Sequence, residues 1–322
     1  MEKSQLIISL DFELHWGRFD KYSLDANRAY YTNTREIVPR VLDLFSNYKI
    51  QATWATVGML MCENREEWEF YKPSLLPSFE ESKFSAYSWM AMQEDVWEAG
   101  LFAPDLVKEI IQRPGQELGS HSYAHYYSLE EGQTLSQWSE DLKAAKRIAL
   151  EKFGVDLESL VFPRNQYSEA VINVAREAGF HIFRTNPGDW FWKDVEEENL
   201  IKKIFRTGDT LFPLGLKTSY SFPGKNDPKF LPASRILRPY RAGSIFNQRR
   251  ISRIKEEMTN AIKHKEIYHL WWHPHNFGQY PEENLRILEG LLAWVKSKVE
   301  EGELESESMQ SFFQKCKVFE KA

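Results

Sequence analysis

The chain has 322 residues, 42% of them apolar and 27% charged, with a formal net charge of −6. That much apolar side chain excludes wholesale disorder, and an acidic balance without a basic block excludes nucleic acid as the expected partner. No run approaches the roughly 18 apolar residues of a membrane span, and the apolar stretch Leu6–Leu10 is too short for a signal-peptide core, so a cytoplasmic location is expected.

Strand and helix patterns alternate along the chain. Leu6–Leu10 reads as a buried strand ending at Asp11, and Ile37, Val41, Leu42 and Phe45 recur at helical spacing, predicting a helix over about 34–48. A second strand, Ile50–Val57, closes at Gly58. Residues 59–104 then read as a long irregular insertion, the kind of segment that forms a lid or groove wall. A helix over 105–112, the strand Glu117–Ser120, a long amphipathic helix over 135–153, the strand Leu160–Phe162, a helix over 169–178 and the strand His181–Arg184 follow. Residues 207–242, rich in Pro, Gly and Ser, read as a second insertion. A helix over 249–264, the strand Ile267–Trp272 and a final helix after Pro281 complete the pattern. The acidic run Glu300–Glu307 reads as a solvated surface, and Cys62 and Cys316 as ordinary thiols matching no zinc or redox spacing.

Strands spaced by helices predict a parallel sheet, open or closed into a barrel. Asp11, His121, Arg164, Asp189 and His273 each follow closely on a predicted strand, and in α/β folds sites assemble at the C-terminal strand edge.

Three short motifs carry the chemistry. In His121-Ser-Tyr-Ala-His125 the i, i+4 spacing can aim both imidazoles to one side of a helical turn, as zinc and similar ions require. A chance pair is more common than a metal site, but placement after a strand and a Gly raises the odds. In Asp11-Phe-Glu13, strand alternation puts both carboxylates on one side, a costly arrangement unless a cation or shared proton compensates it. Alone, the tripeptide reads better as a helix cap with a surface acid. His273, directly after an aromatic strand, suits general-acid work, whereas His269 inside the strand reads as structural. Arg164 near a carboxylate would hold it ionised, and Asp189 near a His would fix its tautomer, although surface ion pairs are common.

In order and spacing these motifs resemble those of the polysaccharide deacetylase family, the NodB-homology or carbohydrate esterase family 4 type. Asp11-Phe-Glu13 resembles its acidic motif, His121-Ser-Tyr-Ala-His125 its H-[ST]-x-x-H pair, Asp189-Trp190 its Asp-Trp segment and Leu270-Trp-Trp-His273 its final His segment. Arg164-Asn-Gln-Tyr167 fits the Arg-x-Pro-[Tyr/Trp] segment in part, with Gln166 in place of Pro. The resemblance implies an α/β fold, a single-domain distorted (β/α) barrel of about seven parallel strands, spanning 1–322 with insertions near 59–104 and 207–242.

It also implies roles. Glu13, His121 and His125 would bind a divalent metal, zinc first, with cobalt, manganese or nickel as alternatives. Asp11 would be the general base held by Arg164, and His273 the general acid oriented by Asp189. The backbone N–H of Tyr167 would help stabilise the oxyanion, and Trp190 and Trp16 would line the groove, a core role for either Trp being as good a reading. Glu13 is one methylene longer than the Asp common in the family, and His275 adds a second imidazole that reads as a substrate contact or a structural residue. Arg235, Arg238 and Arg241, three apart, have the spacing of a phosphate or carboxylate grip, although surface pairing is the commoner role of such Arg.

The expected function is therefore removal of an acetyl group from an amino sugar in cell-surface glycan biosynthesis, on an acetylated sugar or glycan precursor. Two alternatives stand beside it: an allantoinase-like hydrolase of a linear amide, and an inactive carbohydrate-binding protein on the same fold. The sequence leaves the oligomeric state open.

Overall fold

The computed structural model of the protein describes residues 3–193, 200–215, 217–222 and 229–321. Its strands are β1 (Ser4–Phe12), β2 (Ala52–Thr56), β3 (Gln116–Ser120), β4 (Ser159–Val161), β5 (Ile182–Thr185), β6 (Phe230–Pro232), β7 (Arg235–Ile236), β8 (Ile267–Trp272) and β9 (Leu304–Glu307). They form one sheet in the order β6-β5-β4-β3-β2-β1-β8-β7, and each pairing between them is parallel. Helices fill the connections, among them Arg28–Tyr48, Pro104–Gln112, Leu135–Phe153, Glu169–Glu177 and Asn247–His264.

A single segment closes the sheet into a barrel. β6 runs along β5 as far as Ala233, whose N–H donates to Thr185 O at 2.8 Å, and the N–H of Ser234 then donates to His269 O at 2.8 Å. β7 continues along β8. The chain over 230–236 is thus one stave that changes partner midway, which gives a distorted (β/α) barrel of seven staves and removes a free sheet edge.

Alternation along β1 separates the two faces. Leu6, Ile8, Leu10 and Phe12 pack in the layer between strands and helices, whereas Ile7 belongs to the cluster inside the barrel. Inside, Ile7, Ala55, Val161 and Ile182 meet Met309, Phe312 and Phe313 of the C-terminal helix Met309–Lys321. That helix seals the N-terminal end of the barrel, with Met309 N–H donating to Thr53 Oγ1 at 2.8 Å and Gln310 N–H to Glu117 Oε2 at 2.9 Å. Above this apolar plug the interior turns polar, through Ser9, His269, Arg184 and Asp11.

The structure revises three expectations. Residues 59–104 are not a groove wall. They carry the helices Arg65–Tyr71 and Ala86–Ala91 and bury Trp68, Tyr87, Met90 and Leu101, because the segment holds enough large apolar side chain to join the core. The acidic run is not simply solvated surface: Leu304 is buried, and β9 pairs with β1 at Ser4–Ile7, below the point where β2 begins its own pairing. Lys315 accompanies it, meeting Glu307 at 3.0 Å as well as Glu305. Residues 207–242 supply the closing stave. Among the described residues no helix is long and apolar enough to cross a membrane.

Candidate metal centre and active site

Glu13, His121 and His125 come from two loops at the C-terminal rim and converge. Glu13 Oε1 lies 3.1 Å from His121 Nε2, 3.3 Å from His125 Nε2 and 3.5 Å from His273 Nε2. Tetrahedral ligands held about 2.0–2.1 Å from zinc stand roughly 3.3 Å apart, so this spacing is that of a ligand cage. Tautomers support the fit. His121 Nδ1 lies 2.8 Å from Val161 O, and a carbonyl only accepts, so Nδ1 carries the proton and the Nε2 lone pair faces Glu13. Nε2 and the Glu13 oxygen 3.1 Å from it need a cation between them in so dry a site, a proton when the cage is empty or a metal ion when it is filled. The residues present therefore fit a divalent metal.

Local backbone explains how the ligands reach this point. His121 and His125 do not share a helical turn as their spacing suggested. They lie on a loop in which Ser122 (φ 59°) and His125 (φ 52°) are left-handed, which bends five residues into a claw. Asp141 holds the bend, accepting from Tyr123 N–H at 2.7 Å and Ala124 N–H at 3.1 Å. Gly58 and Met59 N–H donate to the carbonyls of Ser122 and Tyr123, each at 2.9 Å. Leu14, Arg164 and Asn165 are left-handed too, so five of the seven such non-glycine residues among those described lie in loops at this rim. Strained backbone gathered at one place is a mark of a functional site. Gly17 is required in another way: a Cβ there would overlap the Glu13 carboxylate.

Beside the cage lies Asp11. Its partner is Arg184, not Arg164, with Nη1–Oδ1 at 2.6 Å and Nη2–Oδ2 at 2.8 Å. Arg184 points inward from β5, also donates to Ser9 Oγ at 3.1 Å, and is covered by the Trp271 ring at 4.4 Å. Burial alone would raise the Asp11 pKa, but Arg184, with His121 and His273, outweighs it and lowers it. Glu13 is similarly raised by burial and brought well below the usual carboxylate range by His273, His125 and His121.

His273 completes the constellation. Its Nε2 lies 3.7 Å from Asp11 Oδ2 and 3.5 Å from Glu13 Oε1, and at 24% exposure it is the accessible imidazole of the group. Asn276 Nδ2 donates to its Nδ1 at 3.4 Å, which leaves the proton on Nε2, facing the cleft. Asp189 does not fill this place; its carboxylate lies against Gly215. His275 is buried behind Glu13, with Nδ1 3.7 Å from Oε2, and burial pushes its pKa down to about 3, so it stands as a neutral support and not an exposed substrate contact.

Other expectations are corrected by packing. Arg164 turns away from Asp11, pairs with Asp20 and Glu130, and lies over the Tyr127 ring at 3.7 Å. Trp16 is fully buried, donates to Leu101 O at 2.7 Å and packs on Trp89, so it is core and not groove wall. The Tyr167 ring packs at a tilt on Phe162 and its hydroxyl accepts from Asn186 N–H at 2.9 Å, contacts that do not engage the backbone N–H expected to serve the oxyanion. Arg235 is a buried structural residue, bonded to Asp209 Oδ2 at 2.7 Å and to Glu257. The side chain of Trp190 lies outside the described residues. Arg238 does line the cleft, an open hollow of about 410 Å³ that holds Asp11, Glu13, His121, His125 and His273. Sequence reading missed Arg184, Asn276, Gly17 and Arg18. The position of Arg184 near the end of a predicted strand was the one available signal.

A family model described as polysaccharide deacetylase matches residues 19–183, just over half of the chain. No curated protein shows significant similarity. Among solved structures, the chain is similar to a protein from Mycobacterium smegmatis assigned as a polysaccharide deacetylase, at 13% identity and TM-score 0.64, with 99% of this chain and 92% of that one covered. A counterpart from Pseudomonas aeruginosa PAO1 aligns at 12% identity and TM-score 0.56, covering 96% and 89%. The Puue allantoinase aligns at 14% identity and TM-score 0.52, covering 91% and 84%. At these identities the structural likenesses establish the fold alone.

Proposed function

This chain belongs to the polysaccharide deacetylase family, and from that premise we propose that it is a metal-dependent hydrolase that removes an acetyl group from an acetylated sugar, with Glu13, His121 and His125 as metal ligands. The observation that carries this reading is the convergence of those three side chains within 3.1–3.3 Å beside an ionised, Arg-gripped Asp11. A divalent ion held there supplies Lewis acidity, making water a stronger acid and the acetyl carbonyl a better electrophile.

The chain's own groups do the rest. Asp11 takes the proton from water; Arg184 keeps it charged and fixes the plane of its carboxylate. His273, accessible and with Nε2 facing the cleft, gives a proton to the departing nitrogen or oxygen from its doubly protonated form and so returns to the neutral ring. Asn276 sets its tautomer. The claw held by Asp141 positions both ligand imidazoles. A setting in cell-surface glycan biosynthesis is part of the same proposal.

Acetate release from a panel of acetylated sugars by the metal-loaded chain tests the reading, with loss of activity on chelation and recovery on adding zinc, cobalt or manganese as the expected result. Turnover of a linear ureide amide in place of any acetylated sugar would move the assignment to amide hydrolysis outside carbohydrates. Stoichiometric metal with no turnover of either class would leave a binding protein.

A further inference from the structure

The cleft is cationic within an acidic chain. Four basic side chains, Arg18, Lys21, Arg164 and Arg238, line it against two carboxylates, Asp11 and Glu13, whereas the whole protein carries a net charge of −6. Not all of these cations are spoken for. Arg164 is neutralised by Asp20 and Glu130, and Arg235, nearby in sequence, by Asp209 and Glu257. Arg18, Lys21 and Arg238 have no carboxylate partner within ion-pair distance among the described residues.

Their surroundings make this an organised arrangement. The Arg18 guanidinium lies over two rings, 3.9 Å from the Tyr22 centroid and 4.9 Å from that of Tyr30, which fixes its planar fork at the cleft wall. Arg238, lining the same cleft, is half-buried and backed by further arginines. Burial first, then the charges of Arg250 and Arg241, lowers its pKa. Arg250 itself keeps Nε and Nη1 buried without a hydrogen-bond partner. Like charges brought together and partly desolvated are costly, and the ligand that relieves the cost is an anion with several oxygens.

We propose that Arg18, Lys21 and Arg238 seat a phosphoryl group of the substrate, so that the acetylated sugar is presented as a phosphate or diphosphate ester and not as a neutral glycan. This rests on the deacetylase reading for the sugar, but the anion seat can be tested apart from it. The phosphate ester bond is untouched by the reaction; water and the acetyl group give acetate and the free amine or hydroxyl while the phosphoryl group serves as a handle. A handle gripped equally in ground and transition states lowers KM and leaves kcat alone.

Two measurements on the full chain decide it. Steady-state acetate release is compared for N-acetylglucosamine 1-phosphate, a nucleoside-diphosphate N-acetyl sugar, a polyprenyl-diphosphate N-acetyl sugar in detergent, and a neutral N-acetyl oligosaccharide. At least one phosphorylated arm should exceed the neutral arm tenfold or more in kcat/KM, through KM, and Arg238→Gln and Arg18→Gln should raise that KM tenfold and narrow the gap. A preference for the nucleotide or for the lipid carrier supports the proposal and identifies the source of the phosphate. Separately, calorimetry with inorganic pyrophosphate on the metal-stripped chain should give binding that weakens tenfold in Arg238→Gln and steeply with salt, with unchanged melting temperature certifying the fold. Equal turnover of neutral and phosphorylated sugars, or pyrophosphate binding that the two variants leave unchanged, overturns the proposal. Arg-dependent pyrophosphate binding with no acetate released from any sugar retains the anion seat and removes the deacetylase reading instead.

Discussion

Arg184 and Asp11 meet across the inside of the barrel as a two-point ion pair, at 2.6 and 2.8 Å, with side chains only 1% and 3% exposed. Each is a costly group to bury alone, and each makes the other tolerable. The pair orients the carboxylate toward the cage while Ser9, His269 and Trp271 close the space beneath and beside it, with Ser9 Oγ 2.9 Å from His269 Nε2. Burial and the Arg184 charge push the His269 pKa down to about 3, so it is a neutral spacer and adds no competing charge.

The first prediction separates the two arginines. With Arg184 present, Asp11 is ionised below the usual carboxylate range. Arg184→Lys replaces a bidentate fork by a single point charge, so the Asp11 pKa rises and the acid limb of the kcat/KM profile moves to higher pH. Arg164→Lys alters a pair with Asp20 and Glu130, and leaves that limb where it is. A limb that shifts only in the Arg164 variant would show that the two roles are exchanged.

Metal content and rate should part company at neighbouring residues. His121→Ala, His125→Ala and Glu13→Ala each remove a ligand, and metal measured by mass spectrometry should fall well below one equivalent, with acetate release lost alongside. Asp11→Asn keeps its volume and lies outside the three-ligand cage, so metal should remain near the wild-type level while kcat drops by about 10²–10⁴. Full turnover by Asp11→Asn would remove it as the base.

Gly17 offers a test that touches no ligand. A methyl group at this position would occupy the space of the Glu13 carboxylate, at the end of the short turn Leu14–Gly17. Gly17→Ala should therefore lower metal content much as the ligand variants do, while circular dichroism and melting temperature stay close to wild type. Retained metal would mean that Glu13 has room to move without leaving the cage.

Much of this site is legible in sequence because of where residues fall on strands. Asp11, His121 and His273 each stand at the end of a predicted strand, and the staves of a parallel barrel bring such ends to one rim. Which arginine meets Asp11 is not legible. Val161 and Arg184 are partners in the β4–β5 register, so Arg184 is still on its stave and points inward, whereas Arg164 lies beyond the end of β4 in a left-handed turn that carries it outward. Nothing in the tripeptide around Arg164 announces a positive φ. The closing stave escaped notice for a related reason: β6 and β7 have three and two residues, too few for a periodicity, and their pairing depends on partners far off in the chain. Trp16 and Arg235 show the limit of residue type as a signal, since a Trp suits a core as well as a groove and an Arg suits a buried ion pair as well as a phosphate. Their placement is decided by neighbours more than 20 residues away, Leu101 for one and Glu257 for the other.

The claw between the two ligand histidines carries a pH signature of its own. Asp141 is buried, and although it accepts from the backbone N–H groups of Tyr123 and Ala124, burial dominates and raises its pKa from 3.8 to about 7. A carboxyl whose folded pKa lies above its unfolded one gives its full stability below the unfolded value and loses it as pH climbs through the folded one. Between about pH 4 and pH 7 this group should therefore cost the native state up to about 4 kcal/mol, taking 1.36 kcal/mol per unit. Asp141→Asn cannot ionise, so its stability relative to wild type should improve steadily from pH 4 to pH 8 in urea titrations. Because Asn presents an N–H₂ group where one backbone N–H now finds an oxygen, the variant should start out destabilised at pH 4, with the gap closing as the wild-type carboxyl ionises. A gap that instead widens with pH would mean that the two backbone N–H groups favour the charged form more than burial opposes it, and that the claw is held by a carboxylate at every pH.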